Sequence, residues 1–140
     1  MKKLFITGGC GYVGSLMIQN FLNRYIIQNV DTQWFGNKLR NNENLTNIKE
    51  DIRNLSGEFI DKDTYAVIHL ANIANDPSVE LDQTLSWEVN VLAAKNLIEK
   101  SIKAGVKKFI YASSGSVYGV KNEEKVTEDL DLVPISAYNK

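Results

Sequence analysis

Three glycines, Gly8, Gly11 and Gly14, lie in the run Thr7-Gly8-Gly9-Cys10-Gly11-Tyr12-Val13-Gly14. A residue without Cβ suits a tight turn, a second lets a diphosphate approach backbone N–H groups, and a third lets a helix sit close on a strand. The run follows a short apolar segment and opens a helical pattern. That places the positive end of a helix dipole against the phosphates of a dinucleotide. The spacing is GxxGxxG rather than the commoner GxGxxG. Asp31 ends the next apolar run. A carboxylate there accepts ribose hydroxyls and repels a 2′-phosphate, which favours NAD over NADP, although Lys38 and Arg40 follow nearby.

Further along, Asp51-Ile52-Arg53 follows a weak strand. A carboxylate at that edge can accept from an adenine amino group, with the adjacent backbone N–H completing the reading. The same motif is common in proteins that read nothing. His69-Leu70-Ala71-Asn72 ends another apolar strand, where small residues leave room for a dinucleotide. His69 itself reads as a core histidine. Asn90 falls mid-helix, where asparagine is a poor former. It reads equally as a hydrogen-bonding group toward a neighbouring loop or as a surface residue. Ser113-Ser114-Gly115-Ser116 opens from a fifth apolar run, and Tyr138 follows a loop led by Pro134. A phenolate beside serine hydroxyls can exchange a proton with a substrate alcohol while a nicotinamide exchanges hydride.

The elements that must hold these groups are legible as alternating patterns. Strands are expected at 3–7, 25–30, 46–49, 66–70 and 108–112. Helices are expected at about 12–24 and 85–104, with a short one near 54–61 and another opening at 134–138. In the first helix Val13, Leu16, Met17, Phe21 and Leu22 recur at helical spacing. In the long one Val89, Leu92, Ala93, Asn96, Leu97 and Ile102 do so. Residues 72–82, with Pro77, read as a loop, and 122–132 as an acidic one. Continuous apolar strands alternating with helices predict an α/β, doubly wound parallel sheet of Rossmann type.

Composition narrows the classes. The chain has 140 residues, with 16 Lys+Arg against 17 Asp+Glu. That is one domain with no basic field for nucleic acid. No apolar run reaches the ~20 residues of a membrane span, so a cytoplasmic location is expected. One cysteine, Cys10, and one histidine, His69, leave neither an internal disulfide nor a Cys/His metal cluster, so no metal is expected.

With these motifs in view, the chain resembles the extended short-chain dehydrogenase/reductases, and among them the NAD-dependent nucleotide-sugar epimerases and dehydratases. The resemblance rests on ITGGCGYVGS, Asp31, Glu50-Asp51-Ile52-Arg53, HLA, Asn90-Val91, KKFIYASSGSVYG and 134–140. It implies that Gly8, Gly11, Tyr12, Val13 and Gly14 hold the diphosphate, Asp31 the ribose, and Asp51 and Ile52 the adenine. Leu70, Ala71 and Asn72, with Asn90 behind them, line the cofactor. It makes Ser114 and Tyr138 the catalytic pair, with a lysine expected four positions after Tyr138, beyond Lys140. It also implies a C-terminal substrate-binding region beyond this chain, a nucleotide-sugar substrate and a homodimer. Family dehydratases carry an Asp-Glu pair before Val-Tyr-Gly. Gly115-Ser116 stands there, which points to epimerase or reductase chemistry. A non-catalytic dinucleotide sensor is the alternative from another class, though a sensor needs neither Ser114 nor Tyr138. Trp34 and Phe35 either shelter the adenosine or are plain loop hydrophobes.

Overall fold

A computed structural model describes residues 1–140. Five strands, β1 (Lys2–Thr7), β2 (Tyr25–Asp31), β3 (Leu45–Lys49), β4 (Thr64–His69) and β5 (Lys108–Tyr111), form one sheet in the order β3-β2-β1-β4-β5. Every pairing is parallel. The chain leaves β3, crosses over β1 and re-enters the sheet as β4. The C-terminal ends of β1 and β4 therefore flank the crevice where such sheets bind ligands.

Alternation along β1 and β4 divides the core in two, because successive side chains point to opposite faces. Leu4, Ile6, Ala66 and Ile68 meet Ile18 and Ile27 on one face. Phe5 and Val67 meet Val30, Ile52, Val89, Ala93 and Leu97 on the other. Helix α1 (Tyr12–Phe21) covers the first face. The second is covered by α3 (Gln83–Trp87) and α4 (Ala94–Lys103), joined by a π-helical segment, Glu88–Ala93.

Several expectations are corrected. Residues 72–82 contain a helix, α2 (Asp76–Leu81). Asn75 caps it through its side chain and Pro77 sits in its first turn, where a missing N–H costs nothing. The stretch near 54–61 is two 3₁₀ turns, Ile52–Asn54 and Gly57–Phe59, rather than one helix. Helix α1 stops at Phe21 and buries Gly14 and Ile18, leaving Val13 and Leu16 exposed. In the long helix Leu92 and Ile102 are exposed, while Ala94, Leu97 and Ser101 face inward. The π segment adds residues to a turn and so rotates the buried stripe away from a single 3.6-residue register. β5 is an edge strand with Ile110 and Tyr111 exposed, not a buried one. The segment after Pro134 forms only a 3₁₀ turn, Ala137–Asn139. No helix is long and apolar enough to cross a membrane.

Candidate dinucleotide-binding site

The glycine turn joins β1 to α1, and its glycines do different work. Gly8 is left-handed (φ 76°), and a Cβ there would lie 2.5 Å from the Ala71 backbone nitrogen. Gly14 sits in the first turn of α1, where a Cβ would come within 2.5 Å of the Gly8 carbonyl oxygen. Gly11, the helix N-cap, has one neighbour, that same oxygen at 3.2 Å, and lines the cavity. Gly11 is thus the position where a ligand can approach the backbone closely.

Gly9 is held from below. Its N–H donates to Asn29 Oδ1 at 2.9 Å, and Asn29 Nδ2 donates to Asn47 Oδ1 at 2.7 Å. Asn29 is fully buried in β2. Cys10 Sγ lies beside these amides, and burial followed by the Asp31 charge pushes its thiol pKa up, so the thiol stays protonated.

Asp31 ends β2 with both carboxylate oxygens anchored. Oδ2 accepts the Cys10 N–H at 2.9 Å and Oδ1 the Gln33 N–H at 2.6 Å. Each oxygen keeps further acceptor capacity, and Asp31 lines the cavity. Asp51 is differently placed. It accepts the Arg53 backbone N–H at 2.9 Å and Arg53 Nε and Nη2, the latter at 2.7 Å. The Arg53 hydrogen bonds hold its carboxyl below the ordinary range. Arg53 Nη1 continues to Glu88 at 2.8 Å.

The loop after β4 is fixed from two sides. Leu70 N–H donates to the Thr7 carbonyl at 3.0 Å, and Ala71 N–H to Thr7 Oγ1 at 3.3 Å. Thr7 Oγ1 in turn lies 2.6 Å from His69 Nδ1. Burial lowers the His69 pKa to about 4, so the ring is neutral near pH 7. Asn90, on the π segment, clamps Ile73 by accepting its N–H at 2.8 Å and donating to its carbonyl at 3.0 Å. Both ends of the Asn90 amide are engaged by the loop.

Together these elements wall an open cavity of about 160 Å³. Gly8, Gly11, Asp31, Asp51, Ile52, Leu70, Ala71 and Asn72 line it. Asn72 Oδ1 is buried with no protein partner. Tyr12 and Val13 are exposed at the start of α1 and outside the cavity wall, and Gly14 is buried behind the turn.

Ser114 and Tyr138 lie beyond this wall, past the end of β5. Ser114 caps the 3₁₀ turn Gly115–Tyr118 and its Oγ is 2.6 Å from Ser116 Oγ. Ser116 Oγ donates to Asn139 Oδ1, beside Tyr138, and so ties the two segments. The neighbouring Tyr111 phenol is raised by burial and then by Tyr138. Asn29 and Asn139 escape the sequence reading, and Gly9 and Arg53 enter it only as members of their motifs, without a role. Only Asn29 carries a signal there, as an amide inside an apolar strand.

Residues 4–140 match the family described as "NAD dependent epimerase/dehydratase family". A putative UDP-glucose 4-epimerase of Methanocaldococcus jannaschii is 32% identical over 139 residues, covering 96% of this chain and 46% of that protein. A human dTDP-D-glucose 4,6-dehydratase is 27% identical over 150 residues, covering 98% and 43%. Among solved structures, UDP-N-acetylglucosamine 4-epimerase from Methanobrevibacter ruminantium M1 superposes with TM-score 0.92 at 31% identity, over 99% of this chain and 46% of that one. Thermus thermophilus UDP-glucose 4-epimerase in complex with NAD gives 0.84 at 28%, over 98% and 46%. The chain thus spans less than half the length of these relatives. The match over nearly all its residues shows that this chain belongs to the NAD dependent epimerase/dehydratase family.

Proposed function

We propose that these residues form the cofactor-binding part of an NAD-dependent nucleotide-sugar epimerase. The relatives named above support the substrate class. The observation that carries epimerase over dehydratase is local. Between Ser114 and Val117 stand Gly115 and Ser116, neither of which titrates near neutral pH. Elimination of water needs an acid and a base there. Oxidation and re-reduction of one hydroxyl needs only one proton-exchanging group and a hydride acceptor.

The cavity fits the cofactor. Gly11 leaves its backbone open at a helix N-terminus, Asp31 offers two anchored acceptors, and Asn72 Oδ1 is an acceptor still without a donor. NAD, when bound, supplies the hydride acceptor. In this reading Tyr138 takes the proton of the sugar hydroxyl and later returns it, and Ser114 hydrogen-bonds the same oxygen. Asp31 holds the ribose, and the loop clamped by Asn90 closes the cavity wall.

Titration of the chain with NAD and NADP at equal ionic strength tests the cofactor. NAD binds at least about tenfold more tightly, because a 2′-phosphate meets the Asp31 carboxylate; equal binding refutes the assignment. The reaction is read with the chain fused to the C-terminal part of the Methanocaldococcus relative, and the 140 residues alone turn over no nucleotide sugar. Interconversion of UDP-glucose and UDP-galactose, or their N-acetyl counterparts, is expected of the fusion, and a product that has lost water counts against the proposal.

A further inference from the structure

Three successive N–H groups directly after β1 are taken up by the end of β2. Gly8 N–H donates to the Val30 carbonyl, Gly9 N–H to Asn29 Oδ1 and Cys10 N–H to Asp31 Oδ2, each at 2.9 Å. Tyr12 and Val13 then open α1, and a helix leaves its first N–H groups without internal partners. The tip of β2 thus decides which N–H groups of the turn are spent and which stay free for an anion. The middle bond of the three depends on one buried side-chain amide.

That amide is out of keeping with its strand. Ile27 and Val30 of β2 are fully buried, as Asn29 is, and an apolar β-branched residue suits such a place. A buried amide costs free energy unless its polar atoms are bonded. A backbone N–H only donates, so Asn29 turns its oxygen to Gly9, and Nδ2 then needs an acceptor. Asn47, its register partner on β3, supplies one at 2.7 Å. Without Asn47 the Asn29 amino group faces only Cys10 Sγ, a weak acceptor at 3.7 Å.

We infer that Asn29 and Asn47 are positioning residues for the dinucleotide: the amide pair across β2 and β3 fixes the Gly9 peptide, and with it the path of the glycine turn toward the diphosphate. The inference rests on NAD being the cofactor. Neither side chain lines the cavity, so the pair acts through Gly9 and not by touching the ligand.

Calorimetric titration with NAD, at a temperature where every variant is folded, tests this. Valine suits a half-buried position on the edge strand β3, so Asn47→Val folds. It removes the acceptor and raises the Kd for NAD at least about fivefold. A merely structural role lowers the thermal midpoint and leaves the Kd of the folded chain alone. Asn47→Asp keeps an oxygen for Asn29 Nδ2, with Arg40 and Lys49 lining the same surface hollow, and holds the Kd within about twofold. Amide exchange at Gly9, followed by NMR in the ligand-free chain, quickens in Asn47→Val and not in Asn47→Asp. A Kd in Asn47→Val less than about fivefold above that of the unaltered chain, an Asn47→Asp weakened as much as Asn47→Val, or equal Gly9 exchange in all three overturns the positioning role and leaves the cofactor reading standing. Failure of the unaltered chain to bind NAD overturns that reading and the positioning role with it.

Discussion

Replacing Gly11 and Gly14 separately by alanine separates ligand approach from helix packing. At Gly14 the new Cβ lies 2.5 Å from the Gly8 oxygen and 2.6 Å from Gly9 Cα, both backbone atoms. Relieving that overlap shifts α1 off the turn, at a cost of about 3 kcal/mol for overpacking. Alanine recovers about 1 kcal/mol of helix propensity. The net loss of about 2 kcal/mol lowers the thermal midpoint by roughly 6 °C for a chain of this length. At Gly11 the backbone is already extended, at φ −72° and ψ 178°, and the nearest atom is 3.2 Å away. Stability there changes by less than about 1 kcal/mol. The methyl occupies the space into which a phosphate oxygen approaches, so a charge-assisted hydrogen bond of about 1.5–3 kcal/mol is lost. NAD affinity then falls on the order of ten- to a hundredfold. Differential scanning calorimetry with NAD titration reads both quantities. Wild-type affinity in Gly11→Ala, or a wild-type midpoint in Gly14→Ala, refutes the division of labour.

Stability falls as pH is lowered from about 6.5 to about 4. The unfolded chain takes up a proton on His69 in that window and the folded one does not, a difference on the order of 3 kcal/mol. Urea midpoints at pH 7 and pH 4.5 check it, and His69→Phe removes the dependence; a flat profile in the unaltered chain is the contrary result. The carboxyls of Asp51 and Asp61, held low by Arg53 and Lys3, add their own losses only at more acid pH. Asn90→Ala removes both hydrogen bonds to Ile73 and destabilises the fold by about 2 kcal/mol. Faster amide exchange at Ile73 is the local signature, and unchanged exchange excludes the clamp role.

What the sequence displays and what it hides follow from the range of the interactions. Apolar runs report the strands because a parallel sheet buries both faces, and the glycine spacing reports the turn because φ and Cβ contacts are local needs. Helix α2 was hidden by Pro77, which signals either a loop or the first turn of a helix; the deciding contact is the Asn75 cap. On the long helix Val89, Ala93 and Leu97 are buried as their spacing predicts, whereas Leu92 and Ile102 are exposed, the π segment breaking the period between them. Asn29 beneath Gly9, Arg53 against Glu88, and Ser116 with Asn139 depend on groups brought together only by tertiary structure.

The abutment of Gly8 on Ala71, beside the Ala71–Thr7 hydrogen bond across 64 positions, also governs the order of assembly. A contact of that span carries a loop-closure cost that must be met before β4 reaches β1, so the non-local pairing sets the pace of folding. Until β4 docks, the glycine turn has no wall opposite it. The β1–α1–β2 unit therefore holds half a cradle during refolding, and dinucleotide capture follows the slowest phase rather than the appearance of helix. A stopped-flow refolding trace monitored by ligand fluorescence lags the far-ultraviolet signal for that reason.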